Sequence, residues 1–178
     1  MLLYLDVDGV LIPGPDDDGN TPTTHHIHHV TPTGYGKPVK IWLNPHHGLQ
    51  LRELIADTGL IPVWCTSWRQ DASALIAPRL GLPAWPHVSL PHLPLTTSHP
   101  DGYLWKRNHL AEHAAGTPFA WIDDDFTPAD HTWATARTTS GRPTLLVQPQ
   151  HRVGIQREHL RTVRAWATTQ RLRARGGE

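Results

Sequence analysis

The chain of 178 residues is long enough for one α/β domain with a two-sided core and too short for two full domains. Lys plus Arg and Asp plus Glu number 16 each, so the formal net charge of zero gives no overall field that would attract nucleic acid or an anionic membrane. The single cysteine, Cys65, excludes an internal disulfide framework and a cysteine-based zinc cluster, and the lack of a membrane-length apolar stretch or a secretory signal predicts a cytoplasmic protein.

The chain begins with a predicted strand and a long insertion. Residues 1–5 are apolar, which is typical of a buried strand. Residues 13–37 are rich in Pro, Gly, Asp, Thr and His and have no sustained period, so we expect an insertion there. The alternating residues 39–43 are its expected return arm. We therefore predict a flap at residues 13–40 that lies over the end of the first strand.

The next segment predicts a helix, a strand and a second helix. Asn44-Pro45 is typical of a helix start, and Gly59 of its end. Its buried face is expected to contain Leu49, Leu51, Leu54 and Ile55. Residues 60–65 predict a second buried strand, and residues 71–79 a further helix.

The second half of the chain predicts further strands that alternate with helices. The expected strands are residues 84–90, 118–122 and 143–147, and the expected helices are residues 102–115, 129–139 and 158–173. The last helix is expected to bury Leu160, Val163, Ala167 and Leu172. Such alternation indicates βαβ units, so the predicted fold is one α/β domain over residues 1–178, with a mostly parallel central sheet.

Three of the predicted strands are followed by polar or acidic side chains. Ligands bind outside the carboxyl ends of parallel strands, so we expect these side chains to form one site. They are Asp6, Asp8 and Gly9 after the first strand, Thr66 and Ser67 after the second, and Asp123, Asp124 and Asp125 after the strand at residues 118–122.

These motifs resemble those of the haloacid dehalogenase (HAD) superfamily of phosphatases and phosphotransferases. In that superfamily an apolar strand ends in Asp-x-Asp-Gly, a second ends in Thr or Ser, a Lys lies near the start of a later helix, and another strand ends in paired acids. The matching segments are Leu5-Asp6-Val7-Asp8-Gly9-Val10-Leu11, Val63-Trp64-Cys65-Thr66-Ser67, Lys106 and Trp121-Ile122-Asp123-Asp124. The resemblance covers most of the chain and implies a Rossmann-like three-layer sandwich without a large cap.

The resemblance also implies a Mg²⁺-dependent phosphohydrolase that forms an aspartyl-phosphate. Asp6 would be the nucleophile, and Asp8 would protonate the leaving oxygen and then activate water. Thr66 and Lys106 complete the implied catalytic set. The implied phosphate-binding residues are Gly9, Thr66, Ser67 and Lys106. The implied metal site contains Asp6, Asp123 and Asp124, together with Asp8 through its backbone carbonyl. Whether Asp123 or Asp124 ligates the metal directly stays open.

Two other reactions are less well supported. The dehalogenase branch of the superfamily lacks a second acid at the position of Asp8, so phosphoryl transfer is favoured over cleavage of a carbon–halogen bond. A cysteine phosphatase requires Arg six residues after its Cys, but Asp71 occupies that position after Cys65. Cys65 is therefore interpreted as a buried strand residue.

Three features each have a functional and a structural interpretation. The histidines of the segment from His25 to His29 could bind one transition metal ion together, although an exposed flap strand is the favoured interpretation. Trp68 and Trp105 could stack on a base or simply form a pocket wall. The last helix has a basic face that could follow a phosphate backbone or be solvated, with Arg157, Arg161, Arg164, Arg171, Arg173 and Arg175.

The favoured substrate is a phosphate at the end of a nucleic acid. Members of the superfamily without a large cap have open sites that admit bulky substrates, and the chain is similar to the small HAD domains associated with RNA repair. A small-metabolite phosphatase is the alternative enzyme. A catalytically inactive HAD-fold binding module is the alternative from another class.

Overall fold

The computed structural model describes residues 1–91 and 98–176, in which a parallel sheet is covered by helices on both faces. The strands are β1 (Leu2–Leu5), β2 (His26–Val30), β3 (Val39–Leu43), β4 (Ile61–Trp64), β5 (Phe119–Ile122) and β6 (Thr144–Val147). The helices are α1 (Pro45–Thr58), α2 (Arg107–Ala114), α3 (Pro128–Thr139) and α4 (Arg157–Gly176). A π-helical turn (Ala72–Ile76) and a 3₁₀ helix (Ala77–Leu80) lie between β4 and α2.

The central sheet confirms the predicted Rossmann-like α/β fold. Its strand order is β4-β1-β5-β6, and every neighbouring pair is parallel. Alternate side chains of β1 serve opposite faces: Leu3 and Leu5 pack in the cluster that contains Leu51 of α1, whereas Tyr4 packs in the cluster that contains Leu110 of α2. Burial on both faces explains why the strands are continuous apolar runs in the sequence.

The flap after the first strand is an antiparallel hairpin of β2 and β3. His26 pairs with Leu43 at its open end, and Val30 pairs with Val39 near its turn. The hairpin is held against the chain that follows β4, because the Thr33 backbone N–H (2.7 Å) and hydroxyl (2.9 Å) both donate to the Asp71 carboxylate.

Helix α1 begins and ends where its capping residues predict. The Asn44 side chain accepts a hydrogen bond from the His46 N–H, and Gly59 has a φ of 63° just after the last turn. The prediction that Leu49 faces the core is wrong, since this side chain is 49% exposed. At 100° per residue, Leu49 points away from the face that buries Leu51 and Leu54.

The segment after β4 differs from the prediction in two places. The helix expected at residues 71–79 is a π-helical turn followed by a 3₁₀ helix, with Pro78 at the start of the latter. The strand expected at residues 84–90 makes only the Trp64 N–H to Pro86 carbonyl and Val88 N–H to Trp64 carbonyl bonds with β4. Proline has no N–H to donate, so a regular ladder cannot form there.

Two helix predictions also need correction. The helix expected from residue 102 begins at Arg107, because Gly102 has a φ of 79° and the Leu104 N–H donates to the carboxylate of Asp130 in α3 instead of to a backbone carbonyl of its own segment. Leu172 is 65% exposed rather than buried, since the last turns of α4 extend beyond the core. Within residues 1–91 and 98–176, no helix has the length and apolar character to span a membrane.

Candidate active site

Three parallel strands deliver polar side chains to one edge of the sheet. Leu5, the last residue of β1, lies opposite Trp64 of β4 and Ile122 of β5, so the three chains leave the sheet at the same level. The next residues of β1 and β5 are Asp6 and Asp123. The carboxyl ends of the strands therefore place these two acids side by side in an otherwise apolar interior.

A buried lysine joins these acids. The Nζ atom of Lys106 lies 2.6 Å from Oδ2 of Asp6 and 2.6 Å from Oδ2 of Asp123. Lys106 is 4% exposed and Asp123 is fully buried. Lys106 immediately precedes α2, whose Leu110 side chain packs against the sheet and fixes the start of the helix above the strand ends.

The electrostatics of this cluster depend on burial and on the short contacts. Loss of solvent raises the pKa of Asp123, with the Asp6 carboxylate adding to the rise and the Lys106 ammonium opposing it. The pKa of Lys106 is held above its ordinary value, because the attraction of Asp123 and Asp6 exceeds the opposing effect of burial. The lysine is therefore a fixed positive charge at neutral pH.

Asp8 lies beside the cluster and opens on the cleft. Its Oδ2 accepts hydrogen bonds from the Trp68 indole N–H at 3.0 Å and from the Ser67 hydroxyl at 3.4 Å. Although the residue is exposed to the cleft, the surrounding protein partly desolvates its carboxyl group, and Asp6 repels a second negative charge. Together these effects raise the pKa of Asp8 to about 6. A carboxyl with this pKa exchanges a proton readily near neutrality.

Asp6, Asp123 and Asp124 form a group that could hold a metal ion. Each offers one carboxylate oxygen, and these oxygens lie within 4.8 Å of one another. A cluster of carboxylate oxygens fits a hard cation such as Mg²⁺. Asp8 was predicted in the metal site through its backbone carbonyl, whereas its side chain is held by Trp68 outside this group of carboxylates.

Asp124 differs from Asp123 in its partner. Its Oδ2 lies 2.7 Å from Nδ1 of His151, which follows β6 in the chain. Burial raises the pKa of Asp124, and the His151 contact opposes the rise. Gly9 makes room for this acid: it has a φ of 68°, and a Cβ added there would lie 2.0 Å from Oδ2 of Asp124. A side chain at position 9 would therefore collide with the metal-site carboxylate.

Thr66 and Cys65 complete the edge on the side of β4. Thr66 is 1% exposed, and its hydroxyl accepts a 3.4 Å hydrogen bond from the Trp68 N–H. Cys65 is fully buried between the sheet and α2, where burial raises the pKa of its thiol. Cys65 is buried as expected, but it lies one residue beyond the end of β4. Ser67 turns outward toward Asp8.

The family is decided by a comparison with known protein families. The family described as the HAD domain in Swiss Army Knife RNA repair proteins matches residues 2–160, a span that contains every acid, Thr66 and Lys106 of the site. The chain belongs to this family. The comparisons with curated proteins and with solved structures found no match. Membership of the RNA-repair HAD family indicates a HAD-type phosphohydrolase.

The sequence analysis missed three contacts of this HAD domain, and only that of His151 has a signal in the sequence pattern. Trp68 was considered as a base-stacking or wall residue, but its indole N–H also donates a hydrogen bond to Asp8. Asp71 anchors the hairpin through Thr33. His151 could have been suspected, because it follows β6 and the site is built from residues that follow parallel strands.

The histidine-rich segment has the character of an exposed hairpin strand in this HAD domain. His26 and His29 are exposed on β2 and pair across to β3. Within residues 1–91 and 98–176, the group of possible metal ligands at the strand ends does not include any histidine of this segment. Trp105 packs against the cluster around Tyr4, as a wall residue would.

Proposed function

We propose that the domain hydrolyses phosphate monoesters through an aspartyl-phosphate on Asp6, with Asp8 as general acid and base. The observation that carries this proposal is the meeting of Asp6 and Asp123 around the buried Lys106 ammonium, with Asp8 beside them at the mouth of the cleft. This combination provides a carboxylate nucleophile, a fixed positive charge and a separate proton carrier at one sheet edge. The family membership of the chain supports the same reaction class.

In the first step an oxygen of the Asp6 carboxylate attacks phosphorus, and the bond between phosphorus and the ester oxygen breaks. Asp8 gives its proton to that oxygen, so the alcohol leaves neutral. Lys106 and Thr66 offset the negative charge of the transferring phosphoryl group. Asp6 is held for this step by the Val7 N–H, which donates to its Oδ1 at 2.8 Å, and by Lys106 at Oδ2.

In the second step water attacks phosphorus and passes a proton to Asp8, which restores the acid. The bond between Asp6 and phosphorus breaks, and inorganic phosphate leaves. Asp6, Asp123 and Asp124 would hold Mg²⁺, which when bound neutralises the approaching phosphate. The pKa of about 6 for Asp8 supports the double role, because both of its protonation states are accessible near neutral pH.

The proposed substrate is a phosphate at the end of a nucleic acid. Besides the RNA-repair family, a cavity of about 640 Å³ with a basic wall supports this choice, and its Arg152 follows the His151 that contacts Asp124. Asn44, at the start of α1, and Arg157, at the start of α4, both line the cavity, so two helix N-termini contribute positive charge there. Arg161 adds a cation, Arg152 adds one that is paired with Asp17, and Glu158 is the acid on the cavity wall.

The basic face of α4 is therefore divided. Arg157 and Arg161 line the cavity, whereas Arg164 pairs with Asp57 at 2.9 Å and Arg171 donates to the Asp57 carbonyl. The first pair is placed to contact a phosphate backbone. The second pair ties α4 to the end of α1.

A panel of phosphate esters tests the reaction. The panel contains glycerol 2-phosphate, an aryl phosphate and oligonucleotides with a 3′- or 5′-phosphate, each assayed with Mg²⁺ or EDTA. We expect Mg²⁺-dependent release of phosphate that Asp6→Asn abolishes. Asp125→Asn, which changes an exposed acid of the same loop, is the matched control and should retain activity. Absence of metal- and Asp6-dependent activity across the panel would overturn the enzyme proposal.

Binding of unphosphorylated single-stranded RNA tests the substrate class separately. Replacing both Arg157 and Arg161 with Gln should weaken binding and reduce the slope of log K against log salt by about 1.4, at about 0.7 per lost phosphate contact. The control replaces Arg173 and Arg175, which lie on the exposed end of the same helix. No salt-sensitive binding at low ionic strength would favour a small metabolite as substrate.

A further inference from the structure

A second cavity is lined in part by Asp8. It has a volume of about 700 Å³ and separates the β2–β3 hairpin from the segment that follows β4. Asp8, Ser67 and Trp68 line it on one side, and Tyr35, Lys40 and Trp42 line it on the other. Its volume is in the range of about 300–1,000 Å³ that is typical of pockets for small organic ligands.

The chemistry of the site determines what enters this cavity. In the proposed reaction Asp8 delivers its proton to the ester oxygen of the leaving group, so that group must lie within reach of the Asp8 carboxyl. The Asp8 side chain is directed to the cavity wall by the 3.0 Å bond from Trp68. A leaving group within reach of Asp8 therefore borders this cavity.

The walls of the cavity favour a flat, aromatic leaving group. Trp42, Trp68 and Tyr35 provide three aromatic side chains, and Val39 and Ile41 add apolar surface. Tyr35 is 58% exposed, so its ring is available to a ligand. Aromatic side chains bind nucleobases by stacking, largely without regard to sequence.

The hairpin side of the cavity is held in place rather than free to swing. The Asp71 carboxylate receives two hydrogen bonds from Thr33, two residues before Tyr35, and the Trp42 indole N–H donates to the Pro13 carbonyl at 2.9 Å. A pre-positioned wall reduces the entropy lost when a ligand binds.

We propose that this cavity binds the terminal nucleoside of the phosphorylated end, with its base against the aromatic wall and its ester oxygen at Asp8. The proposal rests on the proposed phosphohydrolase function and specifies its leaving group. Tyr35 is then a specificity-determining residue, and Lys40, an exposed cation on the same wall, is placed near the next phosphate of the chain.

The test compares oligonucleotides that differ only in the terminal base. One substrate carries a phosphate on a normal terminal nucleoside, and the other carries it on an abasic terminal sugar, each in 3′- and 5′-phosphate forms. Wild type should show a kcat/KM about tenfold higher for the substrate with the base at the preferred end, as expected for one stacked base. Tyr35→Ala should reduce that preference to about twofold or less.

Ile27→Ala is the matched control, because Ile27 is 50% exposed on the same hairpin and does not line the cavity. It should retain the wild-type preference. Equal wild-type rates with and without the base, or an equal fall on both substrates in Tyr35→Ala, would overturn the nucleoside pocket. Either of these negative results concerns the nucleoside pocket alone if glycerol 2-phosphate is still hydrolysed in a way that depends on Asp6. If no substrate is hydrolysed, the proposed phosphohydrolase function itself is wrong.

Discussion

Replacing Lys106 with Met removes the only counter-charge that contacts two buried acids in the described site. The ammonium lies 2.6 Å from both Asp6 and Asp123, and the side chains of the three residues are 5%, 7% and 0% exposed. Loss of one partner of a buried ion pair costs about 3–5 kcal/mol. Protonation of one of the two acids sets an upper limit to this loss of stability. Neutralising a carboxyl with an ordinary pKa of about 3.9 requires about 4 kcal/mol at pH 7. We expect the metal-free variant to lose about 3–4 kcal/mol of unfolding free energy.

The pH dependence of this loss has a defined sign. In the folded Lys106→Met variant, one of the two buried carboxyls is protonated. The same carboxyl is ionised in the unfolded chain, so the folded state of the variant binds one more proton than the unfolded state. The deficit relative to wild type should therefore shrink as pH falls from 7 to 5, by up to about 1.4 kcal/mol per pH unit. Mg²⁺ should also reduce the deficit, because a cation held by Asp6 and Asp123 would neutralise the same charges.

Urea unfolding at pH 7 and pH 5, with EDTA or Mg²⁺, measures these effects. Lys37→Met removes an exposed cation of the hairpin and is the control, with an expected change below about 0.5 kcal/mol. A loss below about 1 kcal/mol for Lys106→Met at pH 7 in EDTA would refute the reasoning. A deficit that grows as the pH falls would refute it as well.

Two further predictions concern the flap and its surroundings. His47 is 5% exposed, and burial, with the neighbouring His25 and His46, lowers its pKa to about 4. The unfolded chain then binds the extra proton, so between pH 7.5 and pH 5 wild type should lose about 2 kcal/mol more stability than His47→Gln. His46→Gln, at the exposed neighbour, should keep most of the wild-type pH dependence, because burial is the main cause of the lowered pKa of His47. An unchanged pH dependence in His47→Gln would contradict the prediction. Asp71→Asn weakens the two hydrogen bonds from Thr33, so amide hydrogen exchange across residues 31–38 should accelerate about tenfold. Adding Thr33→Val to Asp71→Asn should accelerate the exchange little further. Full additivity of the two substitutions would argue against the contact.

The strands that end at the candidate active site could be predicted because their burial leaves a clear signal in the sequence. β1, β4 and β5 are short apolar runs that end in Asp6, Thr66 after Cys65, and Asp123. In a parallel sheet such ends must meet at one edge, so the proximity of Asp6 and Asp123 follows from the pattern alone. The prediction of a strand at residues 84–90 was wrong, because the prolines of this segment lack the N–H groups that a regular strand ladder requires.

The contacts that shape the cleft could not be predicted, because they join residues far apart in sequence through single hydrogen bonds. Trp68 reaches Asp8 across 60 positions, and Asp71 reaches Thr33 across 38. Neither pair has a periodicity or a spacing motif. The position of His151 beside Asp124 likewise depends on the path of the chain after β6, which local propensity does not determine.

Cys65 makes the catalytic edge accessible to a chemical measurement of its opening. It is the only cysteine of the chain, its thiol is fully buried, and its N–H donates to the Leu5 carbonyl at 2.9 Å, between β4 and β1. Burial raises the pKa of the thiol, so the closed edge leaves it inert toward alkylating reagents. The rate of alkylation therefore reports how often β1 and β4 separate, and a ligand that bridges Asp6 and Thr66 would slow that rate in proportion to its occupancy.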